Sequence, residues 1–88
     1  MSARDKLSYY EYYEDVLIFD GEEYDDALIG ITTDHRAVYE FEKMVECLMN
    51  KYGWSDIDAI EWIEYNTIRS LPYFGAKAPI IIYSLEYM

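Results

Sequence analysis

Ser55-Asp56-Ile57-Asp58-Ala59-Ile60-Glu61-Trp62-Ile63-Glu64-Tyr65-Asn66-Thr67-Ile68-Arg69-Ser70-Leu71-Pro72 carries a complete helix signal, from start to stop. Ser55 can cap the free amides at the beginning, and Asp58, three residues on, stands where a capping box places an acid. Ile57, Ile60, Ile63, Thr67, Ile68 and Leu71 recur at threes and fours, which predicts one apolar stripe turned toward a core. Pro72 disfavours helical geometry at Leu71 and lacks a donor, so the helix is expected to stop near Ser70. A rod from Ser55 to Ser70 is roughly 24 Å long, about the width of a small domain. Nothing in it is a catalytic signature.

Working back toward the N-terminus, Phe41, Met44, Val45, Leu48, Met49 and Tyr52 follow the same helical spacing. Glu40 and Glu42 sit near the positive end of this second helix, Lys51 near its negative end, and Gly53 can cap it. Trp54 then packs the corner between the two helices. Upstream, Val16-Leu17-Ile18-Phe19 reads as a buried strand stopped by Asp20-Gly21. Ala27 to Thr33 reads as a second strand, with Gly30 marking a bulge or a close backbone approach. Asp34-His35 is expected to make a two-residue hairpin turn into a strand over Arg36 to Tyr39. After Pro72 the chain turns through Gly75, and Pro79 introduces a last strand, Ile80 to Tyr83. A short helix over Ser8 to Asp15 is weighed against tyrosine's preference for strands, with Ser8 and Glu11 resembling a capping box. The expected architecture is a single α+β domain over 1–88: a small mixed, mainly antiparallel sheet of three or four strands, with two main helices on one face. Residues 1–7 are expected to be a loose end.

Charge is the other strong signal. The chain has 18 acids against 7 bases, a formal charge of −11, which is beyond what solubility requires. From Leu7 through His35 there are nine acids and no lysine or arginine. Such a surface repels nucleic acid and anionic membranes and suits a basic partner. Yet 52% of the residues are hydrophobic and 18% aromatic, so the chain is no acidic disordered tail. Its one cysteine, Cys47, excludes an intrachain disulfide. Residues 1–6 are not followed by an apolar stretch like that of a signal peptide, and Val16–Phe19 and Ile80–Ile82 are too short to span a bilayer, so a cytoplasmic protein is expected.

Enzyme chemistry finds little footing. His35 falls in a turn, and acids near Cys47 would raise its thiol pKa. Asp20, Glu22, Asp25 and Asp26 could gather around a hard cation, but Gly21 follows the first acid immediately, which is the wrong spacing for a calcium loop. No phosphate-cradling glycine loop is present. Neither metal nor cofactor is expected. Arg69 is read as tying the helix end to nearby acids or carbonyls. What remains is the acidic surface. Asp58, Glu61 and Glu64 repeat at three, which spaces their carboxylates roughly 5–6 Å apart along one helix face, with Asp56 before them. Together with Asp20, Glu22, Glu23, Tyr24, Asp25 and Asp26, this row could imitate the phosphates that a basic channel expects. A plain solvated face is the alternative.

The segments Tyr24-Asp25-Asp26-Ala27-Leu28-Ile29-Gly30, Arg36-Ala37-Val38-Tyr39 with Met44-Val45, and Glu61-Trp62-Ile63-Glu64-Tyr65-Asn66-Thr67-Ile68-Arg69 with Leu71-Pro72-Tyr73 together resemble small uncharacterised proteins of bacteriophages and bacterial mobile elements. The resemblance spans about Tyr24 to Tyr83, and Asp34-His35 stands where Asp-Gly is expected in relatives. It carries no catalytic or binding residues. Small acidic phage proteins are similar, as a class, to inhibitors of host defence nucleases, including anti-CRISPR proteins that occupy a DNA-binding surface. The resemblance therefore implies a non-enzymatic, stoichiometric inhibitor acting in the host cytoplasm through acidic residues on a basic protein surface. The rival expectation is a small homo-oligomeric structural or regulatory protein whose acidity serves only solubility.

Overall fold

Among the described residues three short strands pair in the order β1-β2-β3, and the helices that precede and interrupt them share one core with the sheet. The computed structural model describes residues 3–11, 13–19 and 22–87. In chain order the regular elements are α1 (Ala3–Leu7), β1 (Leu28–Ile31), β2 (Ala37–Glu40), α2 (Phe41–Tyr52), α3 (Asp56–Trp62) and β3 (Ile80–Ile82). β1 and β2 are antiparallel, β2 and β3 parallel, so the sheet is mixed and the fold is α+β. Among the described residues no helix is long and apolar enough to cross a membrane.

Alternation along β2 decides which face meets the core. Ala37 and Tyr39 are fully buried, two residues apart and therefore on one side. Tyr39 packs against Phe19 at 4.8 Å between ring centres, and Phe19 in turn meets the edges of Tyr24 and Phe74. Phe41, Met44 and Leu48 of α2, Ala59 of α3 and Ile63 directly after it complete the core. Gly53 ends α2 in the left-handed conformation (φ 70°) with its amide on the Met49 carbonyl. β1 carries the expected bulge: its register to β2 shifts between Leu28 and Gly30.

The helix from Ser55 starts as its sequence signals, with Ser55 Oγ accepting the Asp58 amide at 3.2 Å. Most of the expected stripe meets the core: Ile63 and Thr67 are buried, and Ile60, Ile68 and Leu71 pack against it half-buried. The exception is Ile57, 64% exposed, in place of which Ala59 is buried. Two residues span roughly 200° of an α-helix, so Ile57 and Ala59 cannot share a face. From Ile63 to Ile68 the helix widens into π geometry before Arg69 and Ser70. A strict four-residue spacing drifts around a helix of 3.6 residues per turn, and the wider turn brings that row back into line. Pro72 then lies in the irregular turns of Leu71–Lys77, kinked at Gly75.

Other differences lie in the N-terminal third. Val16–Phe19 is not a strand: it has no regular structure and lies outside the sheet, and Phe19 donates its amide to the Tyr39 hydroxyl at 3.3 Å. Residues 3–7 are not loose but form α1, fixed by burial of Leu7 and by an Arg4–Asp25 ion pair. Ser8 starts no helix; its hydroxyl turns back to the Asp5 carbonyl at 2.6 Å and closes α1, leaving only a single turn at Tyr13–Asp15. The β1–β2 hairpin has a three-residue loop. The Thr32 carbonyl accepts the His35 amide, and Thr32 donates its own amide to Arg36, with Thr33, Asp34 and His35 between them. His35 takes the left-handed position (φ 67°) that glycine would fill, and its Nδ1 hydrogen-bonds with the Tyr10 hydroxyl at 2.7 Å.

Two measurements check this packing. Ile63→Asp places a charge where no side-chain surface reaches water and should cost several kcal/mol, unfolding the domain, while the exposed Glu61→Lys should leave it folded. Equal destabilisation in urea titrations would mean that α3 faces the other way. At the hairpin, relief of the left-handed backbone opposes loss of the Tyr10 contact. In a Tyr10→Ala background, where both the hydroxyl bond and the ring contact are already gone, His35→Gly should therefore stabilise by roughly 0.5–1 kcal/mol.

Candidate functional site

The acidic loop is held inward more than its charge suggests. Tyr24 is 5% exposed, and its hydroxyl shares a 2.8 Å hydrogen bond with Thr67. Burial pushes that hydroxyl above the usual tyrosine range, an effect opposed by its hydrogen bond with Thr67. Asp25 accepts from Nε and Nη2 of Arg4, both at 2.9 Å, and Arg4 also reaches the Phe19 carbonyl. Glu23 stands 3.8 Å from Lys51. Of the loop positions in the proposed partner surface, Glu22 and Asp26 are thus the exposed ones; Asp20 lies outside the described residues. Glu22 and Asp26 edge an open hollow of about 590 Å³ that Lys43, Cys47 and Lys51 also line, so positive charge is already present there.

The α3 row is different. Asp56 accepts the Ile57 amide at 2.9 Å, within its own turn. Asp58, Glu61 and Glu64 are exposed, and among the described residues none of the three makes a salt bridge. With Ala59, Ile63 and Thr67 turned inward, positions 58, 61, 62 and 65 (spaced i, i+3, i+4, i+7) share the opposite face. That face adds two aromatic rings to two of the carboxylates. Trp54, Asp58, Glu61, Trp62, Tyr65 and Asn66 line an open groove of about 320 Å³.

Ring contacts build the groove's wall. Tyr52 stacks on Trp54 at 4.7 Å, and Trp54 meets Trp62 at 5.5 Å with the planes tilted by 56°. Trp62 and Tyr65 remain 45% and 61% exposed. Arg69, expected to tie the helix end to acids or carbonyls, instead lies over the Tyr65 ring, its Cζ 4.8 Å from the centre. The residues lining this groove are separate from those of the loop hollow, so the two acidic regions do not form one pocket. Sequence reasoning placed Trp54 at a corner and left Trp62 and Tyr65 aside. The signal for them was the same i, i+3, i+4, i+7 spacing that relates them to Asp58 and Glu61.

Elsewhere, an apolar hollow of about 510 Å³ lies between α1 and β1, with Leu7, Tyr10, Leu28 and Ile29 among its walls. Glu40 is buried at the N-terminus of α2, where the helix dipole favours an anion, although its Oε1 has no hydrogen-bond partner among the described residues. Among the described residues no group of three or more His, Cys, Asp or Glu is arranged to hold a metal ion.

Comparison with protein-family models, with curated proteins and with solved structures finds no match for this chain. What its surface does has to be argued from its chemistry.

One group has a testable chemistry of its own. Burial pushes the Cys47 thiol above its usual range, and Asp26 and Glu46 push it further, against weaker opposition from backbone hydrogen bonds. A raised pKa leaves less thiolate at neutral pH, and the thiolate is the reactive form. Cys47 should therefore react with a disulfide reagent at pH 7 several-fold more slowly than free cysteine. A rate equal to or above that of free cysteine would overturn this account.

Proposed function

We propose that this protein is a non-catalytic binding protein that occupies a basic, nucleic-acid-binding surface on another protein. The observation that carries this reading is the exposed row Asp58–Glu61–Glu64, which has no salt-bridge partner among the described residues, beside the exposed rings of Trp62 and Tyr65. Carboxylates at helical spacing offer regular negative charge, and the rings offer packing area once water is expelled. The net charge of −11 adds long-range attraction, which chiefly speeds encounter. The resemblance to phage and mobile-element proteins directs the choice of partner to host defence nucleases, CRISPR effectors first. The mode of action is stoichiometric occupation in competition with nucleic acid.

A second reading draws on a different surface. β3 is an edge strand, and Ile82, Tyr83 and Leu85 beside it are exposed, Leu85 at 81%. An apolar edge of this kind suits self-association, and homo-oligomerisation with acidity serving solubility is the alternative function. Sedimentation over a range of concentrations separates the two: a monomer leaves only the first.

Neutralising the row with Asp58→Asn, Glu61→Gln and Glu64→Gln changes the formal charge by three, from −11 to −8, and touches no buried position. Exposed charge contacts contribute roughly 0.5 kcal/mol each, so affinity for a basic effector should fall about tenfold, mostly through slower association. Added salt should weaken wild-type binding. The measurement is a competition titration of effector, labelled DNA and protein at low and high salt. Tight binding that leaves DNA affinity unchanged would exclude occupation of the nucleic-acid surface.

A further inference from the structure

We propose that the groove between Trp54, Trp62 and Tyr65 is a receptor for one arginine side chain of the partner protein, an inference that rests on the proposed function and names its anchoring contact. Three observations converge on this ligand. The walls are aromatic and meet at a corner: Trp54 and Trp62 are in contact at 5.5 Å but tilted by 56°, so a planar group can lie on one indole while its edge faces the other. The rim is anionic, with Asp58 and Glu61 on the same helix face and no salt bridge to either among the described residues. The size is right: about 320 Å³ is at the lower bound of ligand pockets, which suits a single side chain better than a larger molecule.

The chemistry selects guanidinium over ammonium. A guanidinium is planar and weakly hydrated, stacks on aromatic faces, and presents a fork of N–H donors that matches a carboxylate in two places. An ammonium is more strongly hydrated and has no flat face to stack. The protein makes the same kind of contact within itself, where Arg69 lies 4.8 Å over the Tyr65 ring. Arg69 covers one face of the Tyr65 ring but is not among the residues lining the groove, and among the described residues no lysine or arginine lines it. Trp62, half exposed at the centre, is the anchor; Asp58 and Glu61 orient the fork. Burying a tryptophan face under a cation in this way is the usual anatomy of an interface hot spot.

Trp54 and Trp62 are the chain's 2 tryptophans and both line this groove, so tryptophan emission, excited at wavelengths too long for tyrosine, reports on it. The test titrates the full chain with three labelled peptides of equal length, alternating glycine with arginine, lysine or citrulline, and follows peptide anisotropy together with tryptophan emission. The expected result is that the arginine peptide binds several-fold more tightly than the lysine peptide and quenches tryptophan emission, while the uncharged citrulline peptide does neither. Trp62→Ala should weaken the arginine peptide about fivefold, and Glu61→Gln, an exposed change that leaves both rings in place, should weaken it less but measurably. Circular dichroism establishes that each variant is folded. If arginine and lysine peptides bind equally, without quenching and without response to Trp62→Ala, the arginine receptor is excluded while the wider acidic surface stands. If neither basic peptide binds, both this inference and the function it rests on fall.

Discussion

The hydrogen bond between the hydroxyls of Tyr24 and Thr67, 43 residues apart and buried, fixes how the acidic half of the chain meets the helical half. A loop rich in carboxylates repels itself and has every electrostatic reason to swing into solvent. Tyr24 holds it in, because leaving either hydroxyl unpaired in the core would cost on the order of 1–3 kcal/mol. Phe19 packs on the edge of the same tyrosine and on Tyr39, which ties the loop to the sheet as well. With Tyr24 seated, Asp25 falls within reach of Arg4, and α1 is drawn onto the domain. With Thr67 facing inward, the helix that carries it must present its other side to water.

That second consequence makes the surface. Thr67 belongs to the row Ala59–Ile63–Thr67, and holding this row against the core through a π turn sets the rotation of the whole segment. The opposite face then carries Asp58, Glu61, Trp62 and Tyr65 on regular backbone rather than on a loop. A site on a helix is positioned by hydrogen bonds that do not depend on the partner, so less ordering is left to be done on binding. The two acidic regions consequently differ in kind. In the loop, carboxylates meet Arg4 and Lys51 of the same chain; along α3 they meet none among the described residues.

Much of the fold was legible, and the failures share a cause. Capping at Ser55, the amphipathic α2, the glycine stop at Gly53 and the bulge near Gly30 are local signals, set by residues within a turn of one another, and the structure keeps them. Val16–Phe19 looked like a strand because an apolar run reports burial, not pairing; its burial is real at Val16 and Phe19, but against side chains instead of a ladder. Ile57 was placed in the core by hydrophobicity, while Ala59, small and easily overlooked, is the residue that lets α3 approach. The sequence reads residues 1–7 as a loose end because Arg4, in the described part 3–7, has its partner 21 positions away. Of the site, the carboxylate row was legible and the groove was not. A periodic row of like charges announces itself, whereas Trp54 joins Trp62 only after the chain has turned the corner between α2 and α3.

The combination of charge and aromatic rings also bears on what kind of contact the surface can make. Carboxylates alone, exposed and screened within about 8 Å at physiological ionic strength, attract any basic surface weakly and with little discrimination. Aromatic rings alone would attract apolar surfaces and threaten solubility. Placed together, each corrects the other: the acids keep Trp62 and Tyr65 in water without inviting self-association, since a second copy would bring like charge against like. On the proposed reading, a cation with a flat, weakly hydrated face would satisfy the carboxylates and cover the rings at once. Selectivity would then come from the pairing of the two chemistries on one helix face, with the excess negative charge speeding encounter.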